Sequence, residues 1–194
     1  MKKEIEAKFV NINIDAIRKK LTAAGAKLTH PMRTMRRVTI DAPIMKQKRA
    51  FVRVRDEGDK MTLTYKQFDT LSLNGAKEIE VTVSDFDATI ALLAEAGLTY
   101  GSLQESRRET WRLDNVEVVI DEWPWLNPYI EIEGPMENDV IAAAQKLGFD
   151  WNDAVFGAVM AAYRVQYPHL SLHDTIGDLP HVRFDDPLPD LLKN

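Results

Sequence analysis

Two periodicities take turns along the chain. Charged and apolar residues alternate from Glu4 to Phe9, the period of two expected of a strand. Between Asp15 and Gly25 the apolar residues Ile17, Leu21 and Ala24 instead fall on one helical stripe that stops at a glycine suited to a left-handed C-terminal cap. The same order returns at Glu78–Val83, followed by Phe86, Ile90 and Leu93 on the way to Gly97, with Ser84 and Asp87 as the expected capping pair. It returns once more at Glu131-Ile132-Glu133, with a helix predicted from about Asn138 to Leu147 and closed by Gly148. Three Glu-Ile-Glu strands, each feeding an amphipathic helix, read as pseudo-repeats within one fold.

Further strands are expected near 35–41, 50–55, 61–68, 104–113, 116–122 and 129–133, with turns at Asp56-Glu57-Gly58-Asp59 and Asp114-Asn115. A last helix after Asn152 carries Val155, Val159, Ala162 and Tyr163 at helical spacing and ends before Pro168. The sum, about eight strands and four helices, predicts an α+β fold rich in antiparallel pairing. Residues 1–165 are read as the folded domain. Residues 166–194, interrupted by Pro180, Pro187 and Pro189, are expected to wrap it as coil or short turns without chemistry.

The polar faces of these strands are loaded with charge. Glu4, Glu6 and Lys8 share one face opposite Ile5, Ala7 and Phe9; Arg53 and Arg55 stand opposite Val52 and Val54, and Lys66 follows Thr62 and Thr64. Glu78 and Glu80 oppose Ile79 and Val81, Arg108 lies with Thr110 and Arg112, Asp121 opposes Val118 and Ile120, and Glu131 and Glu133 flank Ile132. Like charges at i and i+2 stand side by side, which costs free energy unless counter-ions or water relieve it. An ordinary solvated sheet face is one explanation. The other is a barrel whose apolar residues face outward onto the helices and whose interior is a charged, water-filled cavity. Amphipathic helices favour the second, because they need the apolar strand faces to pack on. An eight-stranded barrel is about wide enough for one small ligand.

Composition narrows the ligand. The 194 residues are 45% apolar, enough for a core, and carry a net charge of −5, so the chain has no overall basic field for nucleic acid. With 0 Cys, disulfides, thiolate metal sites and thiol nucleophiles are excluded, and any metal must sit on oxygen or imidazole. His30, His169, His173 and His181 are scattered, which argues against imidazole. No apolar leader segment opens the sequence and no uncharged run reaches membrane-spanning length, so a cytoplasmic protein without a membrane partner is expected. Trp123, Trp125, Phe156 and Tyr163 are assigned to core or an oligomer contact, with Trp123 near enough to Asp121 to edge a cavity mouth. Lys46, Lys48 and Arg49 are read as a solvated loop that guides anions. A cavity holding both carboxylates and guanidinium groups suits a polyphosphate escorted by a hard divalent cation, Mg²⁺ or Mn²⁺.

The ordered set resembles the CYTH superfamily, the triphosphate tunnel metalloenzymes that include class IV adenylyl cyclases, thiamine triphosphatases and inorganic triphosphatases. Glu4-Ile-Glu-Ala-Lys8 is similar to its amino-terminal signature, and Arg53-x-Arg55, Lys66, Glu78-x-Glu80, Arg107-Arg108, Asp121 and Glu131-x-Glu133 follow in the matching order. The resemblance spans residues 1 to about 165. It implies an eight-stranded antiparallel β-barrel tunnel with helices packed outside. It also implies that Glu4, Glu6, Glu131 and Glu133 are the main ligands of the metal, that Glu78, Glu80 and Asp121 complete the acidic side or orient water, and that Lys8, Arg53, Arg55, Lys66 and Arg108 hold phosphate oxygens. Glu4, Glu6 and Lys8 form the candidate catalytic set. Two departures stand out. Many members have a lysine where this chain has Ser106, with Arg107 out of phase, and many have a Tyr-Phe-Asp-Thr-Pro-like segment where this chain has Thr39-Ile40-Asp41-Ala42-Pro43 after Arg36-Arg37.

The reaction implied is metal-dependent hydrolysis of the terminal phosphate of tripolyphosphate, thiamine triphosphate or ATP, by a monomer or homodimer. Hydrolysis needs no nucleoside pocket, and none is visible in the motifs. A class IV adenylyl cyclase making cyclic AMP and pyrophosphate is the alternative; a polyphosphate-binding module without turnover is the non-enzyme alternative, which the acidic set opposes.

Overall fold

The computed structural model describes residues 1–40 and 42–193. The strands are β1 (Lys2–Glu4), β2 (Glu6–Phe9), β3 (Lys27–Ile40), β4 (Ala50–Asp56), β5 (Met61–Phe68), β6 (Ala76–Val83), β7 (Ser102–Leu113), β8 (Val116–Trp123), β9 (Leu126–Glu133) and β10 (His181–Val182). The helices are α1 (Ile14–Ala23), α2 (Pro43–Gln47), α3 (Phe86–Glu95), α4 (Glu137–Lys146) and α5 (Val159–Gln166).

The strand order is β1-β6-β5-β4-β3-β7-β8-β9-β2, with β10 added in parallel to β7. Because β1 and β2 are one run of chain interrupted at Ile5, this order closes on itself. Lys2–Glu4 pairs antiparallel with β6, and Glu6–Phe9 pairs antiparallel with β9. At the break the Glu6 amide donates to the Leu73 carbonyl and the Ile5 carbonyl accepts from the Gly134 amide. Those bonds turn the backbone from one partner strand to the other. The predicted eight-stranded barrel is therefore an almost closed barrel in which the first strand is split in two and β10 is extra. The split closes the two edges that an open sheet would leave unpaired.

The apolar strand faces lie outside, as the helices require. Phe9, Val118, Ile120, Ile130 and Ile132 pack with Ile17 and Leu21 of α1, Val140 and Ala144 of α4, and Leu147 at the end of α4, in one core cluster. Val38 and Val54 pack with Phe86 of α3 in a second. Burying each such side chain contributes about 1.5–3 kcal/mol. On β6, by contrast, Ile79 and Val81 are half exposed.

Local expectations shift in four places. The cap of α3 is Asp85, whose carboxylate accepts from the Ala88 amide at 2.7 Å, in place of the expected Ser84 and Asp87 pair. An extended Asp85 backbone one residue ahead of Phe86 puts its side chain over the free amides. The short α2, opened by Pro43, lay within the segment read as a loop. The last helix begins at Val159, because Val155 is taken into a bridge with Lys8 and residues 151–153 form a 3-10 turn. Residues after α5 do more than wrap: Leu170, Ile176, Val182 and Leu192 are buried with Trp123, Tyr129, Met160 and Tyr163. Asp41, part of the predicted strand 35–41 and of the departing segment, lies outside the described residues, as does Asn194.

Candidate functional site

Inside the barrel is one cavity of about 390 Å³. Alternation along the strands delivers the polar faces to it: Glu4, Glu6 and Lys8 from β1 and β2, Arg53 and Arg55 from β4, Lys66 from β5, Glu78 and Glu80 from β6, Arg108 from β7, and Glu131 and Glu133 from β9. Eleven of the twelve residues predicted for the lumen thus line it. The exception, Asp121, is 1% exposed and is covered by Arg108, which stands directly opposite it in register and from which it accepts at 2.7 Å (Nε) and 2.6 Å (Nη2). This bidentate pair commits both Asp121 oxygens to Arg108. Burial opposes the charge on Arg108, yet Asp121 holds its pKa well above the ordinary value.

Two lysines tie the acidic strands together. Lys8 Nζ lies 3.0 Å from Glu6 and 2.6 Å from Glu131, while Lys66 Nζ lies 2.6 Å from Glu4 and 3.2 Å from Glu6. Despite burial, Glu131 and Glu6 raise the pKa of Lys8, and Glu6 and Glu4 raise that of Lys66. Both stay protonated at neutral pH. The remaining carboxylates are less well matched. Burial, and then the neighbouring Glu4, push Glu78 up to about 7. Burial, and then Glu131 and Glu4, push Glu133 up to about 7, with Lys2 at 3.6 Å only a partial offset.

On the opposite side guanidinium groups crowd one another. Arg53 Nη2 donates to Thr64 Oγ1 at 3.1 Å and lies 3.5 Å from Glu80. Burial, followed by Arg55 and Arg37, pushes its pKa down to about 9, which leaves it charged at neutral pH. Arg55 is paired with Glu57, which is 4% exposed and also accepts from Arg33 Nη2 at 2.9 Å.

Several lining residues were missed from the sequence. Arg37, Gln104 and Tyr129 line the cavity, together with Trp123, which was expected at its mouth. For Arg37 the signal was present: Val38 and Ile40 face outward, so Arg37 falls in phase with Thr39 on the polar face. Thr175, Ile176 and Gly177, from the tail expected to be bland, also line the cavity and pack near Trp123 and Met160. Ser106 is on the inner wall and the side chain of Arg107 stacks on Phe184 instead, so that wall position carries no cation. Lys46, Lys48 and Arg49 are exposed at the end of α2.

Oxygen donors alone make up the acidic side. Among the described residues no three of them already form a closed metal-holding group. The carboxylates nevertheless suit a hard divalent cation, because Glu4, Glu6, Glu78, Glu131 and Glu133 bring oxygen donors alone to one side of the cavity, where burial and then neighbouring carboxylates raise Glu78 and Glu133 to about 7.

The sequence matches the CYTH domain family over residues 2–153. The chain belongs to the CYTH family. Its fold is shared with solved structures. PH1012 from Pyrococcus horikoshii OT3 is 24% identical with a TM-score of 0.66, over 78% of this chain and 93% of that one. A candidate adenylate cyclase from Vibrio parahaemolyticus is 12% identical with a TM-score of 0.71, over 82% and 96%. HpAC1 from Hippeastrum, described as a candidate adenylyl cyclase with a dominant triphosphatase activity, is 15% identical with a TM-score of 0.52, over 80% and 91%. No curated protein matches the sequence. The family match ends ahead of α5, so the Thr175–Gly177 wall of the cavity lies outside it. No described helix is long and apolar enough to cross a membrane.

Proposed function

We propose that this CYTH protein hydrolyses the terminal phosphate of an inorganic or organic triphosphate with the help of Mg²⁺ or Mn²⁺. One observation carries the reading: the cavity gathers carboxylates from β1, β2, β6 and β9 on one side and crowded guanidinium groups from β3, β4 and β7 on the other. A polyanion bound together with a divalent cation neutralises both, whereas a sugar or an apolar ligand neutralises neither. The triphosphatase activity attributed to HpAC1 agrees with it.

In this reading Glu4, Glu6, Glu131 and Glu133 hold the cation, which when bound draws charge from phosphate oxygens and acidifies water. Lys8 and Lys66 are paired with those carboxylates, and with a cation held there they would be free to bind phosphate oxygens. Lys8 keeps its proton, so it serves as a positive charge and not as a base. Arg53, Arg55 and Arg108 surround the phosphate chain, Arg108 fixed in orientation by Asp121. Attack by the water oxygen forms a new bond to the terminal phosphorus and breaks its bridging P–O bond. Orthophosphate and the shortened chain leave, and the water's proton passes to a carboxylate. Glu78, which lines the cavity beside Glu4, is placed to accept it.

Incubation with tripolyphosphate, thiamine triphosphate and ATP, each with Mg²⁺ or Mn²⁺, tests the reading. Metal-dependent orthophosphate release without cyclic AMP is the expected result. Cyclic AMP with pyrophosphate identifies a cyclase instead, and binding without turnover a polyphosphate-binding module.

A further inference from the structure

We propose that Arg37 is a phosphate-binding residue of the cavity, positioned for that role by Gln104 and Trp123. The inference rests on the reading of the cavity as a triphosphate site and adds a cation to it. Lys8, Arg53, Arg55, Lys66 and Arg108 each have a carboxylate partner. Among the described residues Arg37 has none. Among the described residues its one side-chain hydrogen bond runs from Nε to Gln104 Oε1 at 2.8 Å, and neither Nη group of this cavity-lining side chain has a partner there.

The support beneath Arg37 is rigid. Gln104 is 1% exposed and donates through Nε2 to Ser102 Oγ at 3.1 Å, which fixes its amide so that the oxygen faces the guanidinium. The guanidinium lies 4.3 Å from the ring centre of Trp123, which is itself packed against Met160 and Ile176. Nε and the π face are thus occupied, and the two Nη groups stay free, the fork that takes up phosphate oxygens. The arrangement also carries an electrostatic cost: in the strand register Arg37 stands directly opposite Arg55, and like charges so placed destabilise a sheet. Burial, together with Arg55 and Arg108, pushes Arg37 down to about 10. The Trp123 ring and the Gln104 oxygen favour the positive charge but do not neutralise it. An anion brought in from solvent does.

The test is calorimetric titration of tripolyphosphate into the wild-type protein and four variants, with Tm recorded for each. Arg37→Met should retain or raise Tm and weaken tripolyphosphate about 10- to 100-fold, the range expected for loss of charge-assisted hydrogen bonds. Arg37→Lys should recover part of that loss. Arg36→Met, which removes a guanidinium bound to Asp56 on the outer face, should bind as the wild type does. Arg53→Met separates the two claims. If Arg53→Met weakens binding while Arg37→Met does not, the role of Arg37 is overturned alone; if neither matters, the phosphate-binding reading of the cavity falls. Should Arg37→Met melt early, Gln104→Glu decides, since it gives the guanidinium an internal carboxylate: weaker binding supports the proposal and wild-type affinity overturns it.

Discussion

The two flanks of the cavity face the same electrostatic problem and have different means of relieving it. On β1, β6 and β9, Glu4, Glu78 and Glu133 crowd together; on β3 and β4, Arg37, Arg53 and Arg55 do. A buried and crowded carboxylate takes up a proton, and burial first, then the neighbouring carboxylates, raise Glu78 and Glu133 to about 7. A crowded guanidinium at neutral pH has no such outlet, because its pKa, though lowered, stays above that range. The acidic flank is therefore satisfied by either a proton or a metal ion, and the basic flank only by an anion. Ligand recognition on the two flanks should differ in its response to pH.

The largest effect tests whether the acidic flank is catalytic. Glu4→Gln should reduce metal-dependent phosphate release by about 100-fold or more while the protein stays folded, as judged by circular dichroism; a fully active variant removes Glu4 from the site. Glu6→Gln should lose activity too, but it also takes the shared partner from Lys8 and Lys66, and should lower stability by up to about 3 kcal/mol in chemical denaturation. On the basic flank, Arg53→Met should raise KM for tripolyphosphate about 10- to 100-fold with a smaller change in kcat. A fall in kcat with KM unchanged would instead make Arg53 a transition-state contact.

Acidity sharpens the contrast. Glu78 and Glu133 hold protons in the folded chain up to about 7, against an ordinary value of 4.5, so between those limits the folded state binds more protons than the unfolded one. Stability must then fall as pH rises through that window. In chelator, Tm should decline from about pH 5 to about pH 8, and Mg²⁺ should restore it at the upper end, since a ligand that binds only the folded state stabilises it. A Tm indifferent to Mg²⁺ at the higher pH would separate the carboxylates from metal binding. The smallest effect is the removal of one repelling charge: Glu78→Gln should raise the metal-free Tm near pH 8 by about 2–4 °C. A drop would mean that Glu78 is held by attraction instead of crowding.

Much of this site was legible because strand alternation has a strict period. Once helices claimed Ile132, Val54 and Phe9, their charged neighbours had only one other face to occupy, and Glu131, Arg53 and Lys8 arrived in the lumen together. Arg37 obeyed the same rule but escaped because Arg36 beside it blurs the alternation. Asp121 was assigned to the carboxylates on its parity, and only the pairing of β7 with β8 directed both its oxygens to Arg108. Glu57 was read as a turn residue, and its burial between Arg55 and Arg33 depends on the path of the hairpin.

What the order of residues determined by itself was local: which positions form strands, which face of each is apolar, and that the polar faces carry both signs of charge. The tertiary fold alone decided closure and compensation. Closure depends on one strand changing partners at Ile5, through bonds to Leu73 and Gly134 that are remote in sequence. Compensation depends on distances of a few ångströms between side chains from different strands. Alternation specifies the side of the sheet on which a charge lies, but its neighbour across the barrel is set by register, tilt and the tail that packs beneath Trp123.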